Sequence, residues 1–151
     1  GTKGPPKTVR KESMLGWIGK GMDVSTALHS IKISNSHHQP FLANANLEVK
    51  GPVLASVRLR SAKSGKATLQ WRTSDQKDFS AKGQSEKFSI KGGDWQDVEI
   101  KLPVKGTFQH LRMFVPISKE PLEIDWIEIA PAGGKSKQSK RWDFGRSPSR
   151  K

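Results

Sequence analysis

Two neighbouring runs constrain this chain more than anything else in it: Leu111-Arg112-Met113-Phe114-Val115-Pro116, and then Leu122-Glu123-Ile124-Asp125-Trp126-Ile127-Glu128-Ile129. Each has the length of a strand. The second carries one acid, Asp125, amid large hydrophobes on both of its faces, and such a run reads as a strand buried inside a two-layer β structure.

The chain upstream repeats a simpler version of this signal. Over residues 53–61, Val53, Ala55, Val57 and Leu59 alternate with Ser56, Arg58 and Arg60. Over 67–74, Ala67, Leu69 and Trp71 alternate with Gln70 and Arg72. Over 95–102, Val98, Ile100 and Leu102 alternate with Asp97, Glu99 and Lys101. A period of two places one set inward and the other outward on a strand. Residues 29–34, 41–49 and 87–91 add further strand segments, and Lys63-Ser64-Gly65-Lys66 reads as a hairpin turn. Only residues 22–30 suit a short helix, capped by Asp23 or Ser25. The expectation is an all-β chain, a β-sandwich or jelly roll.

Charge and apolarity divide the chain into three. Residues 1–13 read as a linker and 131–151 as a basic low-complexity tail, with the sandwich over 14–130. The formal net charge is +13, of which the first segment carries +3, the tail +6 and the body only +4. A basic chain suggests nucleic acid, but here most of the excess sits in the flanks, which argues against nucleic acid as the partner of the body. At the start of the body Met14-Leu15-Gly16-Trp17-Ile18 is expected to dock the N-terminus, and in the tail the pair Trp142 and Phe144 is expected to fold back onto the body. The start, Gly1-Thr2-Lys3-Gly4-Pro5-Pro6, reads as an internal boundary of a longer protein. No apolar run approaches the ~18–20 residues that span a bilayer.

Catalytic chemistry finds little support. The absence of Cys excludes disulfides, thiolate zinc sites and a thiol nucleophile. Of the four histidines, His29, His37, His38 and His110, only His37 and His38 are adjacent, and no third ligand lies near them at metal spacing. No metal is expected. Gly-x-Ser-x-Gly is missing, and neither Gly92-Gly93 nor Gly133-Gly134 leads into a helix that would cradle phosphate.

What the chain offers is a surface. Arg58, Arg60, Arg72, His110 and Arg112 all fall on the polar side of alternating strands. If those strands share one sheet, the face is cationic and suited to carboxylates, sulfates or phosphates, with Trp71 or Trp95 available to stack on a sugar ring. The same positions also suit an ordinary solvated sheet face. Asp125 is assigned a structural role, as a buried carboxylate paired with Arg112, with backbone N–H groups or with a cation.

Several segments in order, Val57-Arg58-Leu59-Arg60-Ser61, Leu69-Gln70-Trp71-Arg72-Thr73, Asp94-Trp95-Gln96-Asp97-Val98, Leu111-Arg112 and Ile124-Asp125-Trp126-Ile127, carry a resemblance. Over about residues 29–130 the chain resembles the galactose-binding-like jelly-roll module at the C-terminus of bacterial sulfatases of the N-acetylgalactosamine-6-sulfatase or arylsulfatase type. The resemblance implies a jelly roll with a non-catalytic, carbohydrate-related role, a secreted or periplasmic location and an upstream catalytic domain as partner. The Arg-rich face, rather than the resemblance, suits an anionic and in particular a sulfated glycan. Some such modules hold a structural calcium ion, but no dense Asp/Asn loop here matches one. The family's nucleophile motif is Cys or Ser, any residue, Pro, any residue, Arg. Arg146-Ser147-Pro148-Ser149-Arg150 matches the Pro and the Arg and puts Arg146 where the nucleophile belongs. The expected function is therefore a carbohydrate-binding accessory module of a glycan-degrading enzyme. The rivals are a purely structural packing module and a polyanion binder that works through the tails.

Overall fold

The structure is a computed structural model that describes residues 14–27, 30–34, 40–79, 84–116, 120–133 and 139–145. His29, His37, His38, the linker over 1–13 and most of the expected basic tail lie outside these residues. The described chain forms twelve strands: β1 (Ile18–Lys20), β2 (Asp23–Ala27), β3 (Ser30–Ser34), β4 (Phe41–Asn44), β5 (Val49–Lys50), β6 (Val53–Ser61), β7 (Gly65–Thr73), β8 (Ser85–Ile90), β9 (Gln96–Leu102), β10 (Thr107–Phe114), β11 (Leu122–Pro131) and β12 (Lys140–Asp143).

They pair antiparallel into two six-stranded sheets. Sheet A has the order β1-β4-β10-β7-β8, with β5 also on β10; sheet B has the order β2-β3-β11-β6-β9, with β12 also on β11. The two runs that open the sequence argument, β10 and β11, are the central strands of opposite sheets. Each carries one long partner on one side and two short ones on the other: β7 against β4 and β5, and β6 against β3 and β12.

The period of two places the core as expected. On β6, Val53, Ala55, Val57 and Leu59 are buried, and on β7 Ala67, Leu69 and Trp71 meet them from the other sheet together with Phe108, Leu111 and Met113 of β10. Each large side chain sealed there contributes about 1.5–3 kcal/mol relative to exposure.

Four local expectations are corrected. The helix expected over 22–30 is strand β2, whose backbone pairs with β3 from Asp23↔Ser34 to Ala27↔Ser30. The β-branched Val24 and Thr26 fit that extended edge better than a helix interior. The turn at 62–64 joins β6 in sheet B to β7 in sheet A, so it crosses between layers and closes no hairpin. β11 is not apolar on both faces: the register shifts between Ile124 and Trp126, and this bulge at Asp125 resets the phase. Ile124 and Ile127 are thereby both core residues, while Asp125 and Trp126 are partly exposed. Finally, residues 140–143, placed in the tail by the sequence, form β12; the docking expected of Trp142 and Phe144 is what this strand achieves, since both pack on the core cluster.

Candidate functional site

The two outer faces of the sandwich differ in how they use charge. On sheet B, Arg58 Nη1 meets Asp97 at 2.9 Å and its Nε meets Asp125 at 3.3 Å. Arg60 meets Glu123 at 3.2 Å, and Arg141 of β12 meets Glu128 at 3.4 Å. The guanidinium groups of Arg58 and Arg60 lie 5.4 and 4.7 Å from the Trp95 ring centroid, and that of Arg141 lies 4.1 Å from Trp126. This face is a lattice of cations already engaged with carboxylates and rings.

Sheet A is built differently. The register aligns Lys20, Phe41, Phe114, Thr68 and Lys87 in one outward row, and Ile18, Ala43, Arg112, Gln70 and Ser85 in the next. His110 lies opposite Arg72 in a third row. Among the residues that project outward from these strands there is no Asp or Glu. Arg112 is held by stacking: its guanidinium carbon is 3.9 Å from the Phe79 ring centroid and 5.0 Å from that of Phe41. Phe41 in turn packs on Phe114 at 5.1 Å. A planar guanidinium held against aromatic faces keeps its edge donors free for a ligand. Pro40, Lys66, Thr68, Gln70, Arg112 and Phe114 line an open groove of about 620 Å³ across this face.

The loop after β7 brings Phe79 over the site. Arg72 Nη1 donates to the Gln76 carbonyl at 2.6 Å, and the Thr73 N–H donates to Gln76 Oε1 at 2.9 Å. Gln84 Nε2 then ties the far end of the loop to the Trp71 carbonyl at 2.6 Å. Phe79 also meets His110 edge-on at 4.8 Å. Burial pushes the His110 imidazole below the ordinary histidine range, and the charges of Arg72 and Arg112 push it the same way. Its Nδ1 is buried and has no hydrogen-bond partner among the described residues.

The condition for one cationic face, that these strands share a sheet, is not met, and the residues are divided. Arg72, His110 and Arg112 lie on sheet A, whereas Arg58 and Arg60 lie on sheet B, on the opposite side of the molecule, with Trp95 of the turn before β9 against them. Trp71 is 1% exposed in the core and is closed to any sugar. Asp125 does not pair with Arg112, which belongs to the other sheet; it faces Arg58. Phe41, Phe79, Lys66 and Gln70 were missed. The sequence held one signal for this face: Phe114 falls on the polar parity of β10 beside Arg112, where an aromatic has no core to fill. Among the described residues no group of three His, Asp or Glu side chains is placed to hold a metal ion, and no helix is long and apolar enough to cross a membrane.

No protein-family model and no curated protein matches the chain. Solved structures match its fold. A family 29 carbohydrate-binding module from Piromyces equi superposes with a TM-score of 0.53 at 14% identity, over 81% of this chain and 87% of that one. The C-terminal CBM6 of the laminarinase LamC from the marine Zobellia galactanivorans gives 0.52 at 16% identity, over 75% and 90%. The CBM22-1–GH10 modules of Clostridium thermocellum xylanase 10B, complexed with xylohexaose, give 0.56 at 13% identity, over 82% of this chain and 27% of that one. The fold is a β-sandwich jelly roll. At such identities the likeness establishes architecture, and function has to be argued from the site.

Proposed function

We propose that the chain is a non-catalytic carbohydrate-binding accessory module of a larger glycan-degrading enzyme, and that its glycan lies in the groove on the outer face of sheet A. Arg112 carries this reading. It lines an open groove with no carboxylate among its lining residues, and its guanidinium lies over two phenylalanine rings. Phe114 supplies a ring beside it, and Thr68 and Gln70 supply the hydroxyl and amide that orient a sugar. Carbohydrate-binding modules share the fold, among them one from a laminarinase and one from a xylanase, and this favours the same assignment.

The resemblance of residues 29–130 to sulfatase C-terminal modules adds finer proposals. The parent enzyme is a sulfatase whose catalytic domain lies upstream of Gly1. The protein is secreted or periplasmic. The glycan is sulfated or otherwise anionic, which suits a groove with no acid in its lining.

Affinity electrophoresis of the full chain through gels containing sulfated, uronate or neutral polysaccharides tests the reading. Retardation by an anionic polysaccharide, weakened by salt and lost in Arg112→Gln, is the expected result. The basic flanks are identical in both proteins, so they cancel from the comparison. Equal retardation of the two proteins would assign polyanion binding to the tails. No retardation by any polysaccharide would favour a module that only packs against its catalytic partner.

A further inference from the structure

The outer face of sheet A is closed at one end by the chain's own β7–β8 connection. The chain leaves β7 at Thr73, reaches β10 at Phe79, where it meets His110 and Arg112, and enters β8 after Gln84. This crossing is tied down at both feet. Arg72 Nη1 donates to the Gln76 carbonyl, Gln84 Nε2 donates to the Trp71 carbonyl, and the side-chain amides of Gln76 and Gln84 bond each other at 2.9 and 3.0 Å. The groove stops where the crossing begins. Lys66, Thr68 and Gln70 are successive outward positions of β7, and Phe114 and Arg112 are the matching positions of β10, so the groove follows these two strands. The next outward pair, Arg72 and His110, is not part of its lining: Arg72 is bonded to the loop, and His110 lies against Phe79.

We propose that the groove takes the end of a glycan chain and not a stretch of its interior, with Phe79 as the stop. The terminal sugar meets Arg112 and Gln70, and the chain runs out past Phe114 and Thr68 toward Lys66. The proposal rests on the glycan-binding reading above and names the part of the polymer that is recognised. A groove that continued past Arg112 would admit a polysaccharide at any point along its length. One blocked there by an aromatic ring seats only a chain that ends. An oxyanion on the terminal sugar gains the edge donors of Arg112, whose flat faces are taken by Phe41 and Phe79. Lys66, and Lys87 beside Thr68 in the register, serve whatever charges the following sugars carry, so no fixed spacing between them is required.

Titration calorimetry of the full chain tests this with chondroitin sulfate and κ-carrageenan, each as a short oligosaccharide and as the polymer. The salt is set where Arg112→Gln no longer binds either polymer, so that the basic flanks drop out of the comparison. End recognition loads one protein on each glycan chain at every length, with the same affinity per chain. Interior recognition loads several proteins on each polymer chain. One per chain is the expected result for at least one of the two glycans. Phe79→Ala removes the stop and should convert it to several per polymer chain, with oligosaccharide binding about fivefold weaker because Arg112 loses a ring. Phe79→Trp keeps an aromatic stop and should stay at one per chain. Phe79 is a partly exposed loop residue, and unchanged melting temperatures would verify the folds. Several parent proteins per polymer chain, or one per chain with Phe79→Ala, would overturn end recognition, while binding that depends on Arg112 would still uphold a glycan site at this groove. If neither glycan binds, or Arg112→Gln binds as the parent does at every salt concentration, the glycan reading fails with it.

Discussion

Trp17 and Trp142 come from opposite ends of the described chain and meet edge to face, with ring centroids 5.4 Å apart. Trp17 is 2% exposed. Trp142 reaches it because β12 pairs with β11 from Trp126↔Asp143 to Ile129↔Lys140. Lys140 Nζ also donates to the Leu47 carbonyl at 2.7 Å, and the N–H groups of Phe144 and Gly145 donate to the Asp125 carbonyl. The first and last described segments thus close on each other.

Replacing Trp142 by Ala should accordingly cost about 2–4 kcal/mol, below the full value for a buried Trp because part of the ring is exposed. In a double-mutant cycle with Trp17→Ala, a coupling of about 0.5–1.5 kcal/mol is expected. Urea denaturation measures both quantities. A Trp142→Ala midpoint equal to that of the parent would show that β12 contributes nothing to the fold.

The partner of Asp125 gives a second prediction. Arg58 and Asp125 are both partly exposed, at 34% and 27% of their side chains, so water screens the pair. Arg58→Ala and Asp125→Ala should be non-additive by roughly 0.5–1 kcal/mol, well short of the ~3–5 kcal/mol for breaking a buried pair. Arg112→Ala should be additive with Asp125→Ala, because the two lie on different sheets. Coupling between Asp125 and Arg112 would contradict the strand order.

These two cases mark where the sequence was legible and where it was not. The alternation over 53–61 delivers β6 residue for residue, because period two is a local property and burial follows it. Sheet membership is a property of the crossovers. A short polar turn such as 62–64 looks the same whether it closes a hairpin or passes to the other layer, so the alternation leaves open whether Arg58 and Arg72 share a face, and they occupy two. The bulge at Asp125 adds one residue, makes a one-sided strand resemble a two-sided one, and so misassigned the acid to the core. Phe79 was hidden for another reason: a loop residue has no period, and the hydrogen bonds through Gln76 and Gln84 that place it follow no short-range pattern.

His110 predicts a pH dependence. With its folded-state pKa below the ordinary 6.5, the unfolded chain takes up this proton first as the solution is acidified. The stability held at this site is complete above about pH 6.5 and is lost as pH falls toward the lowered value, below which both states are protonated and the loss stops. His110→Gln should therefore show a smaller drop in melting temperature than the parent between about pH 7.5 and 5.5, before most carboxylates titrate. Equal drops in circular-dichroism melts would mean that the imidazole does not sense Arg72, Arg112 and its own burial.

The last prediction sets the two faces against each other. Arg58 and Arg60 each face a carboxylate, and both lie against Trp95, so an incoming oxyanion would have to displace an existing partner and gains little. No Asp or Glu projects outward from the strands around Arg112, and Phe41 and Phe79 already orient it, so it binds with less rotamer entropy to lose. The Arg58→Ala/Arg60→Ala double variant removes two positive charges and Arg112→Ala only one. If net charge governed retention, the double variant would bind anionic polysaccharide more weakly. If the site governs it, the order reverses: Arg112→Ala should lose most retention in an affinity gel, while the double variant migrates close to the parent once mobility is corrected against a polysaccharide-free gel. The salt dependence should also become shallower in Arg112→Ala alone, since only that change removes a cation from the bound contact. Retention that falls in proportion to charge removed, whichever face loses it, would reduce binding to a bulk electrostatic effect of a basic protein and remove the groove from consideration.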